Sequence, residues 1–378
     1  MSLNILCIGD IHIQTSNTID IKKFTEKLCE YIKINNKIID IIVLMGDILH
    51  THERLHTIPF NIANNIIEKL SKMKPLYILV GNHDYINNSQ FLTDNHWMNC
   101  FKNKHNIFIV DKTMIINHNN LNIILNPYLP DGRFIESLNL LESTNNFNWK
   151  KVDCILAHQL FDGAKMGAIV AENVEKWDES FPYLISGHIH DKQQVQNNLY
   201  YTGSSIQHAF GESHDKTICL VKIDTSIHLE EIDLDLPKKQ ILYYDIETLD
   251  TTINKENEIE IEKILKMLDT PNMHYKITIT GNFEQFKVFK KNPVYTKLQK
   301  NDTKIVFKNK LVDILNKKHL INTTLENSNN LSFQDILYEL VKNDEKINNK
   351  NKIKLANLYN TFYGGNEIYN NKFIELID

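Results

Sequence analysis

Aspartate, asparagine and histidine recur in this chain in five short clusters, and each cluster ends or closely follows a run of apolar residues. They are Gly9-Asp10-Ile11-His12, Gly46-Asp47, Gly81-Asn82-His83-Asp84, Ala157-His158-Gln159 and Gly187-His188-Ile189-His190. Carboxylate oxygens, an amide oxygen and imidazole nitrogens are the donors that divalent transition ions of intermediate softness take. Asp10, His12, Asp47, Asn82, His158, His188 and His190 are therefore candidate ligands for two ions, with His83 to spare. Such a set suits manganese, iron or zinc better than magnesium, which prefers oxygen. The chemistry a pair of such ions offers is activation of a water and stabilisation of charge that develops at an electrophilic centre. In an extended chain residues two apart point the same way, so Asp10 with His12, and His188 with His190, are expected to face one cluster. Asp47, single and directly after its strand, is the expected bridging carboxylate.

Taken one at a time these signals are weak. A Gly-Asp after a strand is mostly a turn, a lone histidine such as His158 is more often structural than a ligand, and Asn-His-Asp could be a capped loop. Their joint occurrence, each at the end of a strand-like run, is what separates them from turns. His52, His56, His208 and His214 lack that support and are expected in loops or on the surface. His96, His105 and His118 are expected to have no role.

The elements that must position the clusters follow a βα rhythm. Leu3–Gly9, Ile39–Gly46 and Leu76–Gly81 read as strands, and Ile21–Ile34 and Pro59–Met73 as helices. Shorter strands follow at Ile107–Val110, Leu121–Leu125, Val152–Ala157, Tyr183–Ser186, Leu199–Tyr201 and Thr217–Lys222, with one helical segment near Ala168–Trp177. The pattern predicts a layered α/β domain with a second sheet packed on the first. Strand ends in such folds open on a shared crevice, which is where the clusters lie. Near Asp224 the character changes, giving expected domains of 1–224, 225–325 and 326–378. In the second, Tyr275–Thr280 and Asp302–Lys310 read as strands with a short helix between them. Lysines outnumber acids there, and Lys287, Lys290, Lys291 and Lys297 are the candidate contacts for a polyanion. In the third, amphipathic helices are expected at Ser332–Val341 and around Ile353–Phe362.

With 378 residues, 42% of them hydrophobic, the chain can bury a full core and carry a second domain. A net charge of −5 argues against a uniformly basic nucleic-acid binder. Arginine is confined to Arg54 and Arg133, so bidentate clamps on phosphate are not a theme; abundant Asn, Ile and Lys point to AT-rich coding, as in some parasites and large viruses. No apolar run reaches the roughly 18 residues that span a bilayer. The five cysteines show no paired spacing, so buried free thiols in a reducing compartment are expected. A soluble, intracellular protein of cytoplasm, nucleus or a viral replication site fits these features.

In succession, Asp-x-His, Gly-Asp, Gly-Asn-His-Asp, His and Gly-His-x-His resemble the calcineurin-like metallophosphoesterase superfamily. Within it the chain is most similar to the nuclease subunit of the double-strand-break repair complex, the SbcD or Mre-eleven type, with its phage and viral relatives. Gly46-Asp47-Ile48-Leu49-His50, Ala157-His158-Gln159, Tyr201-Thr202-Gly203-Ser204-Ser205 and a C-terminal extension of capping-domain size carry that narrower likeness. The resemblance implies a four-layer α-β-β-α sandwich with a small α+β cap and C-terminal helices. It implies that Asp10, His12, Asp47 and His190 surround one ion, and Asp47, Asn82, His158 and His188 the other, with manganese as the expected metal and iron or zinc as alternatives. His83 would be the catalytic histidine beside the scissile phosphate, with His50 or Asp84 orienting it, although Thr51-His52-Glu53-Arg54 departs from the family's usual pattern. A DNA exonuclease or endonuclease is expected, docked through its terminal helices on an ATPase of the Rad-fifty or SbcC type, with a homodimer possible and no membrane. A phosphatase or small-molecule phosphodiesterase, and a non-catalytic DNA-tethering scaffold, are the competing readings.

Overall fold

The structure, a computed structural model, describes residues 2–52, 54–145, 147–249, 255–299 and 303–309. The chain opens with β1 (Leu3–Ile8), α1 (Thr18–Ile34), β2 (Ile41–Leu44), α2 (Thr57–Ser71), β3 (Leu76–Leu79) and β4 (Ile107–Val110). These strands pair in parallel, as crossover connections require. In β1, Leu6 and Ile8 enter a core with Ile21, Phe24 and Leu28 of α1 and Ile66 and Ile67 of α2. The alternate residues Leu3, Ile5 and Cys7 face the opposite way. That two-residue period is what a strand buried on both faces shows.

The opposite face packs on a second sheet. It is built from β5 (Met114–His118) and β6 (Leu121–Asn126), which precede α3 (Phe134–Asn145), and β7 (Cys154–His158), which precedes the hairpin β8 (Lys165–Met166) and β9 (Ile169–Val170). Then come β10 (Tyr183–Gly187), β11 (Gln193–Gln196) and β12 (Leu199–Tyr201), giving the order β11-β12-β10-β7-β6-β5. Phe134, Leu138 and Leu141 of α3 cover its outer face through Ile124, Ile155 and Leu184. The layers therefore run helix, sheet, sheet, helix, the order that the resemblance implies.

Two expectations change. The helix expected at Ala168–Trp177 is absent, because Gly167, at φ +60°, allows a two-residue turn between β8 and β9. Ala171 and Trp177 are buried as expected of apolar residues, but in irregular chain. The boundary at Asp224 falls inside a hairpin: β13 (Ile218–Ile223) pairs with β1 on one side and with β14 (Ile227–Ile232) on the other. The acidic character of this stretch, read as the start of a new domain, is that of an edge strand exposing Glu230 and Glu231.

Beyond Pro237 the chain forms β15 (Lys238–Asp245), α4 (Lys255–Leu268), β16 (Met273–Gly281), α5 (Phe283–Phe289), α6 (Pro293–Leu298) and β17 (Lys304–Asn309). The three strands are parallel and share a core of Leu242, Ile264, Ile277, Ile279, Phe286 and Leu298. Lys287, Lys290, Lys291 and Lys297 lie exposed on α5 and α6 and the turn between them. The expected helices at Ser332–Val341 and Ile353–Phe362 lie outside the described residues. No helix among the described residues is long and apolar enough to cross a membrane.

Candidate metal centre

β1, β2 and β3 are neighbours in the first sheet, β7 and β10 in the second, and within each sheet they run parallel. Their carboxyl ends carry the five clusters, so the sheet order alone brings the clusters side by side. Hydrogen bonds join the sheets at this end, among them one from His158 Nδ1 to the Met45 carbonyl at 2.7 Å and one from the His188 N–H to the Asp10 carboxylate at 3.0 Å.

The donor atoms of Asp10, His12 and His190 lie within 4.8 Å of one another, as do those of Asp47, His158 and His188. Asn82 Oδ1 joins the second group, 3.1 Å from His158 Nε2 and 3.0 Å from His188 Nδ1. Asp47 links the two. Its Oδ1 accepts the His83 N–H at 2.8 Å, which leaves Oδ2 between His12 Nε2 at 3.4 Å and His158 Nε2 at 3.3 Å. All seven expected ligands are thus brought together.

They converge by a different route from the extended alternation expected of Asp10-x-His12 and His188-x-His190. Asp10, His12, Asp47 and His188 all have positive φ, at 32°, 44°, 51° and 80°. Each such residue costs on the order of 1–3 kcal/mol and persists only where its surroundings over-determine it. Close packing does so here. Gly46, itself at φ +106°, would place a Cβ 2.5 Å from His158 Nδ1, and Gly81 would place one 2.2 Å from Asp47 Oδ1 and 2.3 Å from Asp47 N. A Gly81→Ala substitution must displace backbone beside the shared carboxylate. Urea unfolding should show a loss of about 1–3 kcal/mol, with weaker ion binding in calorimetry.

The electrostatics of the cluster fit cations. Asp10 and Asp47 are both buried. Burial pushes Asp10 up to about 7, drawn down by His158 and pushed up again by the Asp47 charge. Burial works to raise Asp47 as well, but His158 and His12 outweigh it and hold it well below the usual carboxylate range. His158 is lifted to about 9 because Asp47 and Asp10 overcome its burial, while burial and His158 hold His188 down at about 3. Two imidazole nitrogens, His12 Nε2 and His190 Nε2, face each other at 3.1 Å. Such a pair must share a proton or a cation. Buried carboxylates and converging imidazoles together form a donor set that divalent ions would satisfy, with Asp10, His12, His190 and Asp47 holding one and Asp47, Asn82, His158 and His188 the other.

Ion removal has a predictable signature. At a free concentration 100 times Kd, each ion stabilises by about 2.7 kcal/mol, so stripping two should lower Tm by roughly 10 °C in a chain of this size. The raised groups set the pH dependence. Asp10 and His158 bind protons more tightly when folded, so their contribution to the stripped protein is present at low pH and is lost as pH rises through about 7 and about 9. The gap in Tm between loaded and stripped protein should therefore widen from pH 7 to pH 9 in scanning calorimetry.

His83 lies beside the centre without joining either of the two groups linked by Asp47. Its Nδ1 donates to the His50 carbonyl at 2.7 Å, and its ring stacks on His52, centroids 4.7 Å apart. Burial holds it below the ordinary imidazole value, against the pull of Asp47. His50 thus orients His83 through its backbone. Asp84, expected to share that task, does something else: its carboxylate accepts from Trp97 Nε1 and from the N–H groups of Ile48, Leu49 and Gly81, pinning the two loops. A buried carboxylate facing that many N–H donors is held by the scaffold rather than by His83.

Three contributors were not legible in the sequence. His208, expected at the surface, donates from Nε2 to the Asp10 carbonyl at 2.8 Å, its ring centroid 5.1 Å from those of both His12 and His190. Glu212 Oε1 meets His190 Nδ1 at 3.3 Å. Tyr128 stacks on His188, centroids 6.0 Å apart. His96, expected to have no role, pairs with Asp111 at 3.1 Å in a separate buried contact.

A family model described as calcineurin-like phosphoesterase matches residues 3–192, a span that contains every one of the five clusters. The chain belongs to this family. This phosphoesterase is 45% identical over 298 residues to a protein named phosphoesterase 244L of Invertebrate iridescent virus 6, covering 77% of this chain and 98% of the relative. It is 38% identical over 307 residues to one named phosphoesterase 078R of Invertebrate iridescent virus 3, covering 81% and 84%. Among solved structures, purple acid phosphatase PPD1 from yellow lupin aligns with a TM-score of 0.40 at 13% identity, over 61% of this chain and 51% of that one. Both sequence relatives are viral, which fits a viral origin.

Proposed function

We propose that this phosphoesterase is a two-metal phosphodiester hydrolase that cuts DNA. The observation that carries the reading is the position of Asp47 Oδ2, within 3.4 Å of nitrogens from both donor groups. Two divalent ions held there would polarise a phosphoryl oxygen and bring the pKa of a water near neutrality. The chain's own residues supply the rest. His83, whose Nδ1 donates to the His50 carbonyl, would use Nε2 to exchange a proton with the leaving oxygen. Asp84 holds the loops bearing Asp47 and His83 in register.

A long polyanion is favoured by what lies beside the centre. An open groove of about 700 Å³ runs from His50 past His52, Arg54 and His56 to Asn87 and Asn88, and no acidic residue lines it among the described residues. Of the chain's two arginines, Arg133 is held by Glu136, whereas Arg54 lines this groove. The exposed Lys287, Lys290, Lys291 and Lys297 are a second set of cations proposed to contact DNA. Manganese is the proposed metal, and residues 326–378 the proposed dock for a partner ATPase of the Rad-fifty or SbcC type in break repair or recombination.

The test is to incubate purified protein with manganese and labelled linear and hairpin DNA, alongside p-nitrophenyl phosphate and its bis-ester. Cleavage of DNA and of the diester is expected. Turnover of the monoester with DNA left intact would favour a phosphatase, a reading that the departure at Thr51-His52-Glu53-Arg54 keeps alive. Ion binding with no turnover of any ester would leave a tethering scaffold.

A further inference from the structure

Glu212 sits 22 residues beyond His190, outside every cluster of candidate ligands. Its two carboxylate oxygens do separate things. Oε1 lies 3.3 Å from His190 Nδ1, while Oε2 accepts the His208 N–H at 2.8 Å. The other nitrogen of His190, Nε2, is the one that faces His12 Nε2 at 3.1 Å. A carboxylate at Nδ1 holds the proton there and leaves the Nε2 lone pair pointing into the donor group. Through His208, whose Nε2 donates to the Asp10 carbonyl at 2.8 Å, the same carboxylate reaches the strained backbone of a second donor.

Glu212 is itself held. Its carbonyl accepts from Gln207 Nε2 at 2.9 Å, and the Lys216 ammonium lies 3.6 Å from Oε2. The same ammonium donates to the His190 carbonyl at 2.8 Å, so Lys216 ties both ends of the contact. Among the described residues no outer carboxylate makes an equivalent contact with the second group: His158 Nδ1 donates to the Met45 carbonyl at 2.7 Å, with the Asp10 carboxylate farther off at 3.9 Å. The two halves of the centre therefore have different outer supports.

We infer that Glu212 is a positioning residue for one ion only, the ion proposed to lie among Asp10, His12 and His190. It orients His190 directly and Asp10 through His208. The inference rests on the two-ion reading above. Loss of such an outer carboxylate typically weakens ion binding by about 10–100-fold.

The experiment is calorimetric titration of manganese into the metal-stripped full-length chain, comparing wild type with Glu212→Ala and Glu212→Gln, with Tm of each stripped protein measured in parallel. Wild type should bind two ions. Glu212→Ala should bind one with unchanged affinity and the other about 10–100-fold more weakly, with the stripped Tm unchanged. Glu212→Gln, which keeps an acceptor oxygen, should recover part of the loss. Equal affinities in wild type and Glu212→Ala would overturn the inference, as would a matching fall at both sites or a lowered stripped Tm in both variants, which would make Glu212 a general structural contact. A wild type that binds no ion at all would instead sink the two-ion reading on which it rests.

Discussion

Asp47→Asn is expected to lower phosphoester hydrolysis by at least about 10⁴-fold, above the 10²–10⁴ range of a lost proton donor, and to disturb both ions at once. The reason is geometric. Among the described residues Asp47 is the one side chain within 3.4 Å of imidazole nitrogens from both groups, and its Oδ1 is held by the His83 N–H, so neither oxygen is free to rotate away. An amide in its place keeps the shape but loses the charge. It also loses an acceptor, because one of its two positions becomes an N–H₂ aimed at a cation or at the His83 N–H. Measured metal content should fall below two per chain, and activity should not return at high substrate. Retention of both ions with full activity would remove Asp47 from the centre and with it the argument for a shared site.

The second large effect separates chemistry from ion binding. His83→Ala should cut kcat by about 10²–10⁴-fold while metal content stays at the wild-type level, because the His83 ring lies in neither of the two groups that Asp47 joins. Its Nδ1 donates to the His50 carbonyl, which fixes the proton there, and a ring nitrogen lies within 4.8 Å of one from each of His12 and His50. Burial favours the neutral ring in the resting protein. A phosphate ester brings negative charge, which favours the protonated ring and readies it to donate. Loss of metal together with activity in His83→Ala would make it a structural or ligating residue instead. Undiminished cleavage in both variants would assign the activity to another site.

Much of the scaffold was legible because the local signal and the tertiary need agree. Leu3, Ile5 and Cys7 against Leu6 and Ile8 is an alternation that only a two-faced strand explains, and the structure uses both faces. Where the signals conflict the sequence analysis assigned no element. In α4, Glu258-Ile259-Glu260-Ile261-Glu262 alternates like a strand, yet Ile261, Ile264 and Leu268 at helical spacing are the ones buried. In α3, a tail of Ser143, Thr144 and Asn145 blurs the pattern; their side chains bond back to carbonyls of the preceding turn.

The sequence by itself determined the kind of donors and their placement at strand ends, because both are local: a residue type and the apolar run before it. Only the tertiary structure decided how those donors converge. Four of them turn inward through left-handed backbone that no spacing rule predicts, held there by Gly46 and Gly81 packing against His158 and Asp47. Only it could recruit Glu212, His208 and Tyr128, whose neighbours in the chain carry no metal-like pattern. Their roles arise from contacts such as that of His208 with Asp10, 198 residues apart, and contacts of that kind are set by sheet order rather than by sequence spacing.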